Sequence, residues 1–141
     1  MNKLYTMVGI PGAGKSTFAN SHPECVVVSS DAIRAEVFKN EYDLSNMRRV
    51  FEIVNERVAA ALAEGKDVIY DSTSLTRKIR HNIIKTFNAE HIAIFVNTPI
   101  DICIERDAKR YRHVGERVIR QMATRLVPPT LDEGFKEIIE I

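Results

Sequence analysis

Gly9-Ile10-Pro11-Gly12-Ala13-Gly14-Lys15-Ser16 is the stretch that decides how this 141-residue chain is read. It fits G-x-x-x-x-G-K-[ST] at every fixed position, and it lies between an apolar run, Leu4 to Val8, and a helix-like run opening near Lys15. Backbone amides converge on phosphate oxygens only where glycines allow positive φ and a close approach of the ligand. A helix opening at Lys15 points its positive end at the same anion. Lys15 supplies a mobile point charge for the β- and γ-phosphates, and the Ser16 hydroxyl is a hard oxygen ligand for Mg²⁺. The motif predicts a nucleoside triphosphate site and leaves the reaction open.

Working outward, short apolar runs alternate with longer amphipathic stretches. Strands are expected at Leu4–Val8, Cys25–Ser29, Asp67–Tyr70 and His91–Val96, each almost continuously apolar, as suits a sheet covered on both faces. Helices are expected from Ala32 to Phe38 and from Ser45 to Glu64. The second has Met47, Val50, Phe51, Val54, Val58, Ala61 and Leu62 on one stripe and Gly65 at its C′ position. Thr76 is placed to cap a helix whose Ile79, Ile83, Ile84 and Phe87 face inward, with a basic cluster outward. Thr98-Pro99 opens another helix, and Pro128-Pro129 closes the last one. Phe135 to Ile141 reads as an edge strand, with a helix as the alternative. The alternation predicts an α/β fold: a parallel sheet of four or five strands with helices on both faces, in one domain over residues 1–141.

Composition bounds the function classes. Hydrophobic residues make up 45% and charged residues 28%, ordinary for a globular chain. No apolar run approaches the roughly 20 residues of a membrane span, and the N-terminus lacks a signal-peptide pattern, so a cytoplasmic protein with no membrane partner is expected. Cys25 and Cys103 read as small core residues, and the 4 His residues show no zinc spacing. Net charge is +1, unevenly spread. Residues 76–88 hold Arg77, Lys78, Arg80 and Lys85 with no acid; residues 106–125 hold seven bases, Arg112 among them, against Asp107 and Glu116. Such patches suit a polyanionic ligand, with solvated helix faces as the plain alternative.

Three further places can carry chemistry. In doubly wound sheets ligands bind at the carboxyl ends of the strands. There the second strand runs into Ser29-Ser30-Asp31-Ala32-Ile33-Arg34. Three residues apart at a helix start, Asp31 and Arg34 share a face. The carboxylate can orient and deprotonate a hydroxyl, and the guanidinium can grip an acceptor phosphate; helix capping is the plain alternative. Asp71, at the end of the third strand, can hold Mg²⁺, and Thr73 and Ser74 follow it. Arg106 and Arg110, four apart, can sit on a lid over about residues 106–118 and neutralise charge on a transferred phosphoryl group. Spacing does not say which of Arg106, Arg110, Arg112, Arg117 and Arg120 reaches it.

With these elements in place the chain resembles P-loop kinases of the polynucleotide 5′-hydroxyl kinase type, the kinase domain of phage and bacterial nucleic-acid repair enzymes. The carriers are Gly9 to Thr17, Ser30 to Arg34, Val68 to Thr73, Arg106 to Arg110 and Pro129 to Phe135. The resemblance implies a three-layer P-loop NTPase fold with strand order 2-3-1-4(-5) and an arginine-bearing lid. It implies ATP and Mg²⁺ as cofactors, with Gly9, Gly12, Ala13, Gly14, Lys15, Ser16 and Thr17 on the nucleotide and Ser16 and Asp71 toward the metal. It implies Lys15, Asp31, Arg34, Arg106 and Arg110 as the catalytic set, and a nucleic-acid 5′-OH end as acceptor. Separate repair enzymes such as a ligase or phosphatase are the partners it suggests. Ser74 stands where the family often has Asn. A small-molecule kinase acting on a sugar, nucleoside or antibiotic is the nearest rival, and a nucleotide-binding regulatory ATPase the next.

Overall fold

The computed structural model describes residues 1–38, 46–111 and 113–141. Within them β1 (Lys3–Val8), α1 (Lys15–Asn20), β2 (Val26–Ser29), α2 (Ser30–Phe38) and α3 (Met47–Ala63) come first. They are followed by β3 (Val68–Asp71), α4 (Arg77–Thr86), β4 (Glu90–Phe95), α5 (Ile100–Ala108), α6 (Glu116–Arg125) and β5 (Glu137–Glu140). Two expectations, the helix start at Ser45 and the lid residue Arg112, lie outside the described residues.

The sheet is five-stranded and all parallel, in the order β2-β3-β1-β4-β5. This is the order the resemblance implies, and the C-terminal segment takes the strand reading, with Ile92 opposite Glu137 and Phe95 opposite Glu140. Alternation along each strand explains why the strands are apolar throughout. Leu4, Val68 and Tyr70 face a core made with α2, α3 and α4, while Met7, Ile69 and Ile94 face a core made with α1, α5 and α6. Three layers result, each face burying its own row of side chains.

Local signals in the sequence appear as geometry. Gly65 takes φ 78°; its amide donates to Leu62 O at 3.0 Å and the Lys66 amide to Ala61 O at 3.1 Å, which ends α3 in a Schellman turn. Thr76 caps α4, its side chain accepting from the Ile79 amide at 3.3 Å. Cys103 is buried and Cys25 half-buried, both as free thiols.

The outward-facing basic cluster on α4 needs correction. Arg80 is fully buried and takes the inward row with Ile83 and Phe87, while Ile79 is exposed. Arg80 reaches Glu133 at 2.7 Å, and Arg77 reaches Asp132 at 2.9 Å and Thr130 at 2.7 Å. Two of the four charges counted as a polyanion patch are therefore met by acids of the C-terminal segment.

Candidate functional site

Lys15, Ser16, Asp31, Arg34, Asp71, Arg106 and Arg110 line one cleft of about 1090 Å³ at the carboxyl edge of the sheet, with Gly12, Gly14, Thr17, Thr73 and Ser74, whereas Gly9, Ala13, Arg117 and Arg120 are not among its lining residues. The phosphate loop forms its floor. Gly12 has φ 83°, and a Cβ there would lie 2.4 Å from Cys103 O, inside any van der Waals contact. Gly14 has φ 105° and its missing Cβ would lie 3.3 Å from Arg106 Nη1. Both positions demand glycine, one for its backbone angle and for space, the other chiefly for its angle. The Gly9 amide donates to Thr73 O at 3.1 Å, which ties the loop to the connection after β3. Lys15 curls back over the loop, and Nζ donates to Gly9 O at 2.9 Å and Ile10 O at 3.1 Å.

Charges around the floor are poised against burial. Burial lowers the Lys15 ammonium below its ordinary value, and Asp71 and Asp31 pull the other way. Burial raises the Asp71 carboxyl, with Lys15 opposing and Asp31 adding to the rise. A triphosphate would supply Lys15 with counter-charge, and a divalent cation would do the same for Asp71. The glycine cradle and the oxygen donors Ser16 and Asp71 fit ATP and Mg²⁺; Mg²⁺ held this way would take few protein ligands and several phosphate oxygens. No cluster of three or more His, Cys, Asp or Glu that could cage a metal occurs among the described residues.

At the start of α2, Asp31 and Arg34 do share a face. Arg34 Nη1 donates to Asp31 Oδ1 at 2.8 Å; the arginine is 5% exposed and the aspartate 69%. Arg34 Nη2 lies 2.8 Å from Met47 Sδ. The capping alternative falls to a neighbour, because Ser29 Oγ accepts the Ala32 amide at 3.2 Å and Asp31 is left for the arginine.

Across the cleft stand Arg106, within α5, and Arg110, just beyond its end. Arg106 Nη1 donates to Ala13 O at 3.2 Å, while Arg110 also lines the cleft and is half-exposed, 3.8 Å from Asp107. Asp107 and Thr98 were not singled out by sequence reasoning. Asp107 is 2% exposed and accepts the Val114 amide at 3.0 Å and the Gly115 amide at 2.9 Å, pinning the α5–α6 connection shut at its base. The one acid among the bases of residues 106–112 was the available signal. Thr98 Oγ1 donates to Ala13 O at 2.7 Å and braces the loop from β4.

Fold and cleft together define the class: this is a P-loop kinase fold, a five-stranded parallel sheet presenting a phosphate loop beside a cleft wall that carries Asp31 and Arg34. A sequence-family profile described as "AAA domain" matches residues 4–129, and the chain belongs to that family of P-loop kinases. It is similar to the L-seryl-tRNA(Sec) kinase of Methanococcus maripaludis, at 24% identity over 89% of this chain and 53% of the relative. It is similar also to the adenylyl-sulfate kinase of Paraburkholderia xenovorans, at 29% identity over 73% of this chain and 63% of the relative. One chain in the solved structure of the Pnkp1/Rnl/Hen1 RNA repair complex superposes with a TM-score of 0.77 and 28% identity, over 89% of this chain and 44% of that one. The chain thus spans less than two thirds of each. No helix among the described residues is long and apolar enough to cross a membrane.

Proposed function

We propose that this chain is an ATP-dependent kinase that transfers the γ-phosphoryl group to the 5′-OH of RNA or DNA, acting in the cytoplasm beside separate repair enzymes. The observation that carries the reading is the Asp31–Arg34 pair, 2.8 Å apart, on the wall of the same cleft that holds Lys15 and Asp71. A regulatory nucleotide switch has no use for a base and a phosphate clamp there. The likeness to a chain of an RNA repair complex supports a nucleic-acid acceptor.

Loop residues Gly9 to Thr17 hold the triphosphate, with Lys15 leaving its loop carbonyls for the β- and γ-oxygens. Ser16 and Asp71 would hold Mg²⁺, which would supply counter-charge to the phosphates. The acceptor's 3′-side phosphate competes with Asp31 for the Arg34 fork, which frees the carboxylate for the hydroxyl. Asp31 takes the hydroxyl proton as the acceptor oxygen bonds to the γ-phosphorus and the bond to the ADP oxygen breaks. Arg106 and Arg110 meet the charge on the phosphoryl oxygens.

Internal pairing of Arg77 and Arg80 removes part of the polymer-binding patch, and this favours the second reading, a small-molecule kinase. The deciding measurement is kcat/KM for a nucleoside 3′-monophosphate, a 5′-OH oligonucleotide and the bare nucleoside. The phosphorylated acceptors should be favoured by roughly ten- to a hundred-fold, the value of one charge-assisted bidentate contact. Arg34→Ala should erase that preference; Asp31→Ala should slow every acceptor. Equal rates in the wild type reject the polynucleotide reading, and activity on sugars or antibiotics alone installs the rival.

A further inference from the structure

Arg80 is the largest fully buried side chain of the protein's described residues, and it is not among the residues that line the cleft. Nε donates to Glu133 Oε1 at 2.7 Å and Nη2 to Glu133 Oε2 at 3.2 Å. Nη1 donates to Ser74 O at 3.0 Å and Leu75 O at 3.1 Å. Four of the five N–H donors of a guanidinium are thereby committed. Glu133 is equally fixed: its side chain is 3% exposed and Oε2 also accepts the Thr130 amide at 2.7 Å. Burial would raise this carboxyl, yet the Arg80 and Thr130 bonds bring it below the usual carboxylate range.

What the pair holds is the wall of the cleft. Residues 72–75 link Asp71 to the cap of α4, and Ser72, Thr73, Ser74 and Leu75 all line the cleft. Ser74 has φ 48°, the one non-glycine residue with positive φ among those described. That turn separates the carbonyls on either side of it: Thr73 O meets the Gly9 amide of the phosphate loop at 3.1 Å, and Ser74 O meets Arg80. Leu75 O accepts the Val127 amide at 2.9 Å as well. A left-handed serine persists only where its surroundings over-determine it.

We infer that the Arg80–Glu133 pair is a positioning device for the reaction: by clamping the carbonyls of Ser74 and Leu75 it keeps the left-handed turn that sets Asp71 and Thr73 against the phosphate loop. Arg80 acts through this connection and is not itself a contact for substrate. The inference rests on the kinase reading for its catalytic consequence, though not for the geometry it assigns.

Arg80→Lys keeps the charge beside Glu133 and loses the planar fork, so the connection should loosen. The expected result is a fall in kcat of about tenfold or more, within the range for a small misplacement of reacting groups, with KM for ATP changed less than about twofold since Lys15 and its loop remain. Ser74→Gly in the Arg80→Lys background should restore kcat by about threefold or more relative to Arg80→Lys alone, because glycine holds positive φ without a clamp. A merely structural arginine predicts the reverse, because glycine would only lower Tm further and the kinetic defect would vanish well below Tm. Glu133→Gln, which keeps the shape of the carboxylate, serves if Arg80→Lys does not fold and should move kcat in the same direction. A readout independent of any acceptor is the Mg²⁺ concentration that half-saturates ATP-induced thermal stabilisation, expected to rise in Arg80→Lys as Asp71 shifts. Unchanged kcat and Mg²⁺ dependence in both variants, or no rescue by glycine, overturns the inference. A wild type that phosphorylates no acceptor overturns the kinase reading, and the Mg²⁺ titration still decides the positioning role.

Discussion

Arg106 and Ala13 are joined directly: Arg106 Nη1 donates to the Ala13 carbonyl at 3.2 Å, the same oxygen that accepts Thr98 Oγ1 at 2.7 Å. Arg106 therefore rests on the phosphate loop, while Arg110 is half-exposed and 3.8 Å from Asp107. Arg106→Ala is expected to cost about 1 kcal/mol of stability or less, one hydrogen bond with solvent close by. It should cost roughly 10²-fold in kcat, as for loss of a preorganised charge. Steady-state kinetics with a denaturant melt checks both, and an unfolded Arg106→Ala would make the residue structural.

Lys15→Ala should leave the ligand-free melting temperature nearly unchanged, because Nζ bonds only loop carbonyls and its burial already disfavours the charge. Phosphoryl transfer should fall by roughly 10²-fold or more, and the rise in Tm on adding Mg·ATP should vanish. Full turnover in this variant would remove Gly9 to Ser16 from the donor site.

Asp71 gives a pH signature. Its folded pKa is raised, so between the unfolded and folded values the native state holds a proton that the unfolded chain has released. Stability attributable to this group falls as pH rises through that interval, and the cost stands in full above the folded pKa. Asp71→Asn should accordingly melt higher than wild type near neutral pH and equally near about pH 3, below the usual carboxylate range. Its phosphoryl transfer should be strongly reduced. Thermal melts at both pH values decide it; a variant less stable than wild type at neutral pH contradicts the assignment.

Two glycines separate backbone strain from steric contact. Gly65 and Gly12 have similar positive φ, 78° and 83°, but a Cβ on Gly65 meets nothing within 4 Å while one on Gly12 meets Cys103 O at 2.4 Å. Gly65→Ala should cost about 1–2 kcal/mol from the left-handed backbone alone. Gly12→Ala adds an overpacking cost of about 1–3 kcal/mol and should also abolish ATP binding. Equal destabilisation of the two would mean the loop relaxes away from α5.

Much of this protein is written locally. Gly12, Gly14 and Lys15 announce their site because a phosphate cradle is a demand on consecutive backbone angles, which consecutive residues must meet. Thr76 and Gly65 mark helix ends for the same reason, and unbroken apolar strands announce a sheet covered on both faces. The pairing of Asp31 with Arg34 was legible because three residues is one helical turn. Spacing could not show that Arg80 lies inside: helical periodicity ranks side chains by polarity, so it put Ile79 in the core and the arginine in water. What makes that charge tolerable is Glu133, 53 positions further on, brought near only when the C-terminal segment crosses α4 to reach the sheet edge. The same holds for Asp107, whose buried carboxylate looks like one acid among bases until the chain turns back and offers it two amides. A buried charge is decided by its partner, and the partner is set by tertiary packing.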